Sequence, residues 1–563
     1  MPLLDAPAVA DLIDEIGDRL ELSGELPFKV RAYRNAADVL RGLKAPLHDL
    51  VASRKLIKLP GIGEALAEKI ISLHKKGTHP TLERLREEIS DGLLHVYRVP
   101  GLGPKKVLAL RDAAGVTDLD LLEAAVREGK LAGLKGFGPK LQAKVLDALP
   151  FVRASVSRLL RPQAERRLAE AVCKLKGIPG VQDVLPAGEF RRSMETVGEL
   201  TVVVAAPATT EVPTVLDEVR IVHAVPECLG AALFCATGTT DFVRAAQTLA
   251  ASQGGVLTAV GLKKGTTLLN TPREEDLFEA LGLPYIAPEL RETAAALEAA
   301  RLGKLPKLIE PGDVKGILHS HTSRSDGMHT LEEMCEATRA LGLSYYGVCD
   351  HSQSAVYAGG MREDKIAAQH AEADALNVKY HKLGLAFRVF KGIESDILED
   401  GALDYPEAVL ERFDFIVASV HSRFELDEKA QTARVLKALA NPYTTILGHC
   451  TGRILLRREG LKLDLELVLQ AAAQHGVVVE INAHPSRLDL DWRWHRRALE
   501  LGCKVSLNPD AHSTSNLEVL RYGIDVARKG GVEAKDNLTS LTAAELAAYF
   551  EQRKQRGPCP ARE

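Results

Sequence analysis

Nowhere does this sequence run for the ~18–20 consecutive apolar residues that a membrane-spanning helix needs, so nothing in it reads as an anchor. Its eight cysteines are scattered without paired spacing, which argues against a disulfide framework or a zinc ribbon and for reduced thiols. A surplus of one charge is lacking too. The net charge is -4, and that balance does not by itself point to nucleic acid. The first residues, MPLLDAPAVADLIDEIGDRLE, are acidic and amphipathic rather than basic and then apolar, so they do not read as a secretory signal. The expectation is a cytoplasmic protein, with a monomer as the default. What the chain does have is length: 563 residues exceed one hydrophobic core and suggest roughly three to five domains.

The first ~150 residues are helical in period, with Gly-rich interruptions that repeat. LPGIGEALAEKI, VPGLGPKKVLAL and LKGFGPKLQAKVL each set a Gly-x-Gly turn (Gly61 and Gly63, Gly101 and Gly103, Gly136 and Gly138) before a basic amphipathic helix carrying Lys69, Lys105 and Lys106, or Lys140. This is a helix-hairpin-helix signature. Glycines allow the tight turn, and free amides at the next helix start can hydrogen-bond a phosphate oxygen. One such turn is usually just a turn, but three in register imply sequence-independent DNA binding through the phosphates. Clusters such as RKLIK, HKKG and RLLRPQAERR add local positive charge that the net charge hides; each alone reads equally well as a solvated helix face.

From about Phe151 to Glu298 the pattern becomes mixed, with TVVVAA and VRIVHAV as short strands, and RLGKLPKLIEPGDVKG then reads as a linker. Beyond it, GILHSH, YYGVCDH, RVFKGIESDIL, FDFIVASVHS, TTILGHC, VVVEINAH and CKVSLNPDAH alternate with amphipathic helices, the rhythm of a parallel barrel whose chemistry sits at the C-terminal strand ends. At those ends lie His319, His321, Asp326, His351, Glu394, His421, His449, Asp510 and His512. Any one of them alone is more simply a satisfied core or surface residue, yet as a set they can hold two or three divalent ions such as zinc or manganese. Ions held close together lower the pKa of bound water toward ~7 and neutralise phosphate charge. Cys349 and Cys450 adjoin ligands but are spaced as buried small residues.

The motifs HSHTSRSDG, CDHS, GIESDIL, ASVHSRF, LGHCTGR and NPDAHS resemble those of the polymerase and histidinol phosphatase (PHP) domain. The resemblance implies a distorted seven-stranded barrel with a trinuclear site, all nine ligand positions filled and Glu394 as the bridging carboxylate. In the reaction it implies, His319, His321, Asp326, Glu394 and Asp510 are the core of the catalytic set. Asn482, Arg487 and Asp489 match the same pattern and could orient substrate, or form a surface Arg–Asp pair. Arg324, Arg453 and Arg487 lie near ligand motifs as phosphate contacts or plain surface charges.

From FKVRAYRNAADVL to ALGLPYIAPELRE and through the barrel, the whole chain resembles a bacterial family X DNA polymerase. That implies a multidomain α+β protein: a lyase-like helical domain (1–80), a fingers-like hairpin domain (81–150), a nucleotidyltransferase-like palm (151–245), a thumb-like region (246–298), a linker (299–314) and a distorted (β/α)7 PHP barrel (315–563). Lys69 stands where animal relatives carry a Schiff-base lysine, though a lysine there also serves simply to bind phosphate.

The palm departs from the family pattern. GEFRRSMETVGELTVVV keeps Arg191 and Arg192, but Glu189 replaces a serine, and Glu199 and Thr201 stand in the two aspartate places. Arg220 falls at the third carboxylate, and a Tyr-Phe-Thr-Gly turn has become Cys235-Ala236-Thr237-Gly238; Asp217 and Asp241 lie close enough for a shifted register. The expectation is a nucleoid-associated DNA-repair protein with a degenerate polymerase site. It would bind gapped, nicked or 3′-recessed DNA and trim 3′ ends through the barrel, with manganese first among the ions and zinc or iron as alternatives. A working gap-filling polymerase, a non-catalytic DNA-end scaffold and a small-molecule phosphatase are the competing readings.

Overall fold

The computed structural model describes residues 3–43 and 46–555. Contacts divide the chain into two units, the first made of Met1–Ser157 with Leu456–Arg458 and the second of Arg158–Leu455 with Glu459–Glu563. Among the described residues no helix is long and apolar enough to cross a membrane.

The N-terminal stretch of the first unit is all helical: α1 (Ala6–Leu22), α2 (Pro27–Arg41), α3 (Leu47–Ala52), α4 (Glu64–Lys76), α5 (Pro80–Glu88), α6 (Asp91–Tyr97), α7 (Pro104–Ala114), α8 (Leu119–Arg127) and α9 (Pro139–Val156). The three Gly-x-Gly turns precede α4, α7 and α9. In each, the first glycine has a positive φ (Gly61 72°, Gly101 90°, Gly136 90°) that a side chain would strain. The second glycine is an extended N-cap with no side-chain cap, so no side chain covers its own amide or that of the second helical residue; Pro104 and Pro139 open α7 and α9 without an N–H. The residue between them is driven into the core: Ile62, Leu102 and Phe137 are all buried. An apolar plug therefore anchors each turn from below while its glycines face solvent. Helix α9 continues through Pro150 to Val156, so the unit ends at Ser157 and not at 150. Pro150 removes one helical hydrogen bond, but Leu149 and Val152 on the buried face keep the helix in place.

The second unit opens with β1 (Leu159–Leu160), α10 (Arg161–Lys176), β2 (Asp183–Pro186), α11 (Gly188–Arg191), β3 (Thr196–Val197), β4 (Leu200–Ala205), β5 (Val215–Leu216) and β6 (Val219–Ala224). A four-stranded sheet runs β2-β4-β6-β5, with β4 and β6 parallel and β4 wholly buried. Next come α12 (Leu229–Thr237), α13 (Thr240–Ser252), the antiparallel β7 (Gly255–Thr258), β8 (Gly261–Lys264) and β9 (Thr267–Leu268), then α14 (Glu274–Ala280) and α15 (Ala294–Arg301). The boundary expected at 245/246 cuts through α13. Ala246 and Ala250 share one core with Phe234, Phe242 and Phe278, so this layer begins in α12.

Seven parallel strands follow, β10 (Gly316–Ile317), β11 (Tyr345–Val348), β12 (Arg388–Asp396), β13 (Phe415–Ser419), β14 (Ile446–Leu447), β15 (Val478–Asn482) and β16 (Val505–Asn508), paired in that order. A parallel bridge from Ser320 to Ala511 and the Leu318 amide on Asn508 Oδ1 (3.0 Å) nearly close the ring. Strands buried on both faces read as continuous apolar runs, which is why they stand out in the sequence. The 299–314 stretch is not a free linker: Ile309 and Val314 are buried in the barrel core, and the Ile309 amide donates to Val532 O (2.9 Å). The far end of the barrel is sealed by Phe415 stacked on Phe550, ring centroids 5.4 Å apart.

Gly392 on β12 is needed for that seal, because a Cβ there would come 2.2 Å from Cζ of Phe415. Gly392→Ala is expected to destabilise the barrel by roughly 1–3 kcal/mol, read as a lower urea midpoint. An unchanged midpoint would contradict this packing.

Candidate metal centre

All nine expected ligands converge at the open end of the barrel. His319 and His321 follow β10, His351 follows β11, Glu394 lies within β12, and His421, His449, and Asp510 with His512 follow β13, β14 and β16. Four overlapping groups have ligand atoms within 4.8 Å of one another: His321, Asp326, His351 and His512; His319, His321 and Asp510; His319, Glu394 and His449; His351, Glu394 and His421. Glu394 is the hub. Its Oε1 lies 3.0 Å from His449 Nε2, 3.2 Å from His421 Nε2 and 3.4 Å from His319 Nε2, and its Oε2 lies 2.9 Å from His351 Nδ1. Asp326 and Asp510 frame the opposite side, 3.4 Å from His512 Nε2 and 3.1 Å from His321 Nε2. His449 and Asp510 hold left-handed backbone, φ 22° and 51°, a cost that non-glycine residues bear mainly where a site requires it.

The donor set fits divalent ions. Buried His319 Nε2 and His321 Nδ1 have no hydrogen-bond partner, although buried polar atoms are nearly always satisfied, and His351 Nδ1 and Glu394 Oε2, 2.9 Å apart, face only each other. Imidazole and carboxylate are the donors that zinc and manganese accept.

A supporting layer orients these ligands, and sequence reasoning missed most of it. Glu480, inside the apolar run VVVEINAH, takes His319 Nδ1 at 2.7 Å, the His449 amide at 2.7 Å and Asn508 Nδ2 at 3.0 Å. Asp396 holds His421 Nδ1 at 2.6 Å. Asp350 accepts from the amide and hydroxyl of Thr322, from Ser325 and from Gln369, fixing the turn that carries Asp326. The signal that could have found Glu480 is a carboxylate midway through a strand otherwise built for burial, since a buried charge needs partners. Asn482 donates to Asp510 Oδ2 at 3.0 Å. Asp489 is fully buried and holds the Thr451 amide and hydroxyl, so it forms no surface pair with Arg487. Of the three candidate arginines, only Arg487 faces the ligands, 3.7 Å from Asp510. Arg324 is spent on Glu372, and Arg453 on Asp491 and the Arg487 carbonyl. Cys349 and Cys450 are buried, and burial pushes both thiols well above their ordinary range.

In the β2-β4-β6-β5 sheet, where a palm was expected, Thr201 and Arg220 sit opposite each other on β4 and β6. Glu199 Oε1 accepts from Arg220 at 3.0 Å and from Thr201 at 3.3 Å. The three residues expected in carboxylate places thus meet, as an ion pair with a threonine. Glu189 accepts from Arg158 and the Gly198 amide. Arg191 forks onto Glu274, and Arg192 binds Glu292 and the Thr237 carbonyl. Asp217 pairs with Lys174 and Asp241 caps Ala294, so neither joins this cluster. In the helical unit, Lys69 donates to the Ala65 carbonyl and Lys106 to that of Gly101, while Lys105 and Lys140 face solvent.

Burial opposes charge on every group of the barrel site. Against it, the Glu394 carboxylate lifts His351 to about 11 and His421 to about 9, and Glu480 and Asp510 lift His319 well above its ordinary value. Burial, with His512 and His351, instead holds His321 down to about 3. In protein stripped of metal the raised imidazoles carry protons at neutral pH, and ligation must displace them. Titrating stripped protein with manganese at pH 7, in buffers of different ionisation enthalpy, is expected to release more than one proton per site, with affinity falling as pH falls. Calorimetry showing no proton release would contradict this electrostatic picture.

The family model described as the PHP domain matches residues 318–484. Models described as a helix-hairpin-helix domain and a SAM-like helix-hairpin-helix tandem match 5–79 and 93–149, and the DNA polymerase beta thumb matches 232–292. A probable phosphatase of Thermoanaerobacter sp. is 28% identical over 178 residues, 30% of this chain and 70% of that protein. A probable phosphatase of Vibrio campbellii is 26% identical over 258 residues, 43% and 95% of the two chains. The DNA polymerase/3′-5′ exonuclease PolX of Bacillus subtilis is 32% identical over 569 residues, spanning 96% of this chain and 98% of the relative. With that coverage, and with hairpin, thumb and PHP segments in the same chain, this protein belongs to the family X DNA polymerases that carry a PHP domain.

Proposed function

We propose that the barrel is a metal-dependent DNA phosphodiesterase that shortens or cleans 3′ ends, on DNA gripped by the helix-hairpin-helix turns, and that the palm has lost most or all of its polymerase activity. The observation that carries the hydrolytic half is the nine-residue ligand cluster with its unpartnered buried donor atoms. The relative named as a polymerase and 3′-5′ exonuclease supports DNA as the substrate. Manganese is our first choice of ion, two or three per site, because mixed imidazole and carboxylate donors suit it.

When bound, the ions would supply a lowered water pKa and charge neutralisation at phosphorus. The protein's own part is positional. Asp326, Glu394 and Asp510 bring the negative charge that collects cations, and Glu480 and Asp396 fix the ring orientation of His319 and His421. Arg487, 3.7 Å from Asp510, would hold a non-bridging phosphate oxygen. Hydrolysis forms one bond from a water oxygen to phosphorus and breaks the bond to the 3′ oxygen, which leaves with a proton. Upstream, the open amides at Gly63, Gly103 and Gly138, assisted by Lys69, Lys105, Lys106 and Lys140, would hold phosphates without reading sequence.

The case against polymerisation rests on Arg220. Polymerase chemistry needs carboxylates around two ions, and a guanidinium paired to Glu199 repels cations from that place. The rival reading, an active gap-filling polymerase, draws on the same relative's printed name.

A labelled gapped primer-template in manganese, with and without nucleotides, decides between them. We expect primer shortening that disappears in His319→Ala plus His321→Ala, with no extension by either protein. Nucleotide-dependent lengthening that survives the double substitution would overturn the palm assignment.

A further inference from the structure

We propose that Tyr357, with Val356 beside it, is the platform on which the unpaired base at a DNA 3′ end stacks while its phosphodiester lies at the metal ligands. This rests on the phosphodiesterase reading above and adds to it how the site selects frayed or single-stranded ends.

Among the described residues, no large apolar side chains are more exposed than these two, Val356 at 81% and Tyr357 at 73%. They are adjacent in the chain, and Tyr357 stands at the edge of the metal centre, its ring centroid 6.3 Å from that of the ligand His351. Exposed apolar surface is costly unless it meets a partner, and a pair of such residues beside a catalytic mouth marks a binding surface.

The loop that presents them is firmly held. Both of its ends are tied to ligand residues, the Ser352 amide to the Glu394 carbonyl at 2.9 Å and the Met361 amide to the His351 carbonyl at 2.8 Å. Asp404 binds the amide and hydroxyl of Ser354, and its carbonyl takes Gln353 Nε2 at 2.8 Å. Gly360 lets the returning strand pass so close that a Cβ there would lie 2.0 Å from the Ser352 carbonyl oxygen. A turn braced this way holds an aromatic ring in place without the entropy cost of ordering a mobile loop.

The occupant follows from what lies on either side. Toward the barrel are carboxylates, imidazoles and Arg487, suited to a phosphodiester through bound cations. Outward is a neutral aromatic face with an aliphatic neighbour, which takes the π face of any base without reading its edge. A paired base is already stacked in its duplex, so the platform rewards an end that is frayed, mismatched or single-stranded.

The test uses the full-length protein and an oligonucleotide ending in 3′ 2-aminopurine, whose fluorescence is quenched by stacking. In calcium, without turnover, the parent and Tyr357→Phe are expected to quench it and Tyr357→Ala to fail. In manganese, Tyr357→Ala should raise KM roughly 5- to 150-fold with kcat within about twofold, while a 3′ end lacking its base is cut equally by both proteins. The thermal midpoint should not move, since the side chain is exposed. The platform is overturned by unchanged quenching in Tyr357→Ala, by an equal loss on the base-free end, by loss in Tyr357→Phe, or by a substitution that changes only self-association. Quenching without cleavage by the parent would instead sink the phosphodiesterase reading and leave the platform standing.

Discussion

The C-terminal half of this protein is organised around one buried carboxylate. Glu394 lies within 3.4 Å of four imidazoles inside a barrel mouth that excludes most water. A charge so placed is tolerable only with compensating cations, either protons on the histidines or metal ions. The rest of the site follows from that requirement. Glu480 and Asp396 orient rings toward Glu394, Asp350 holds the turn bearing Asp326, and the left-handed backbone at His449 and Asp510 brings their side chains inward.

The palm shows the opposite outcome from similar materials. Its sheet is intact, with β4 buried and paired to β6, yet its polar cluster is solved internally as an Arg220–Glu199 ion pair. Exposed pairs of this kind contribute little stability; on the function proposed above, their significance is that a guanidinium, not a cation from solution, already faces Glu199. Arg191 and Arg192 are likewise committed, to Glu274 and Glu292. The two sites therefore differ in electrostatic demand: the barrel gathers negative charge that must be answered from outside, and the palm does not.

Much of this was legible in the sequence for identifiable reasons. Parallel strands buried on both faces appear as apolar runs, so the histidines and carboxylates ending each run were visible as one set. The hairpins were legible because positive φ demands glycine at Gly61, Gly101 and Gly136. The supporting layer was harder. Glu480 sits within a strand, and only barrel curvature brings it to His319, 161 residues away. Arg324 and Arg453 were indistinguishable from Arg487 by spacing, because which guanidinium finds a local carboxylate is decided in three dimensions. Boundaries slipped where helices ignored a local break, at Pro150 in α9 and at residue 245 in α13, and where apolar residues in a Pro-containing stretch packed on the barrel.

The central claim is that Glu394 unites the ligands into one multinuclear centre. Its most direct test is the number of metal ions held by purified protein and by Glu394→Gln, counted by elemental mass spectrometry after exhaustive dialysis against dilute manganese. The account predicts at least two ions per chain in the parent and no more than one in a variant that keeps its fold. A parent that holds a single ion, or a variant that holds as many as the parent, would contradict it.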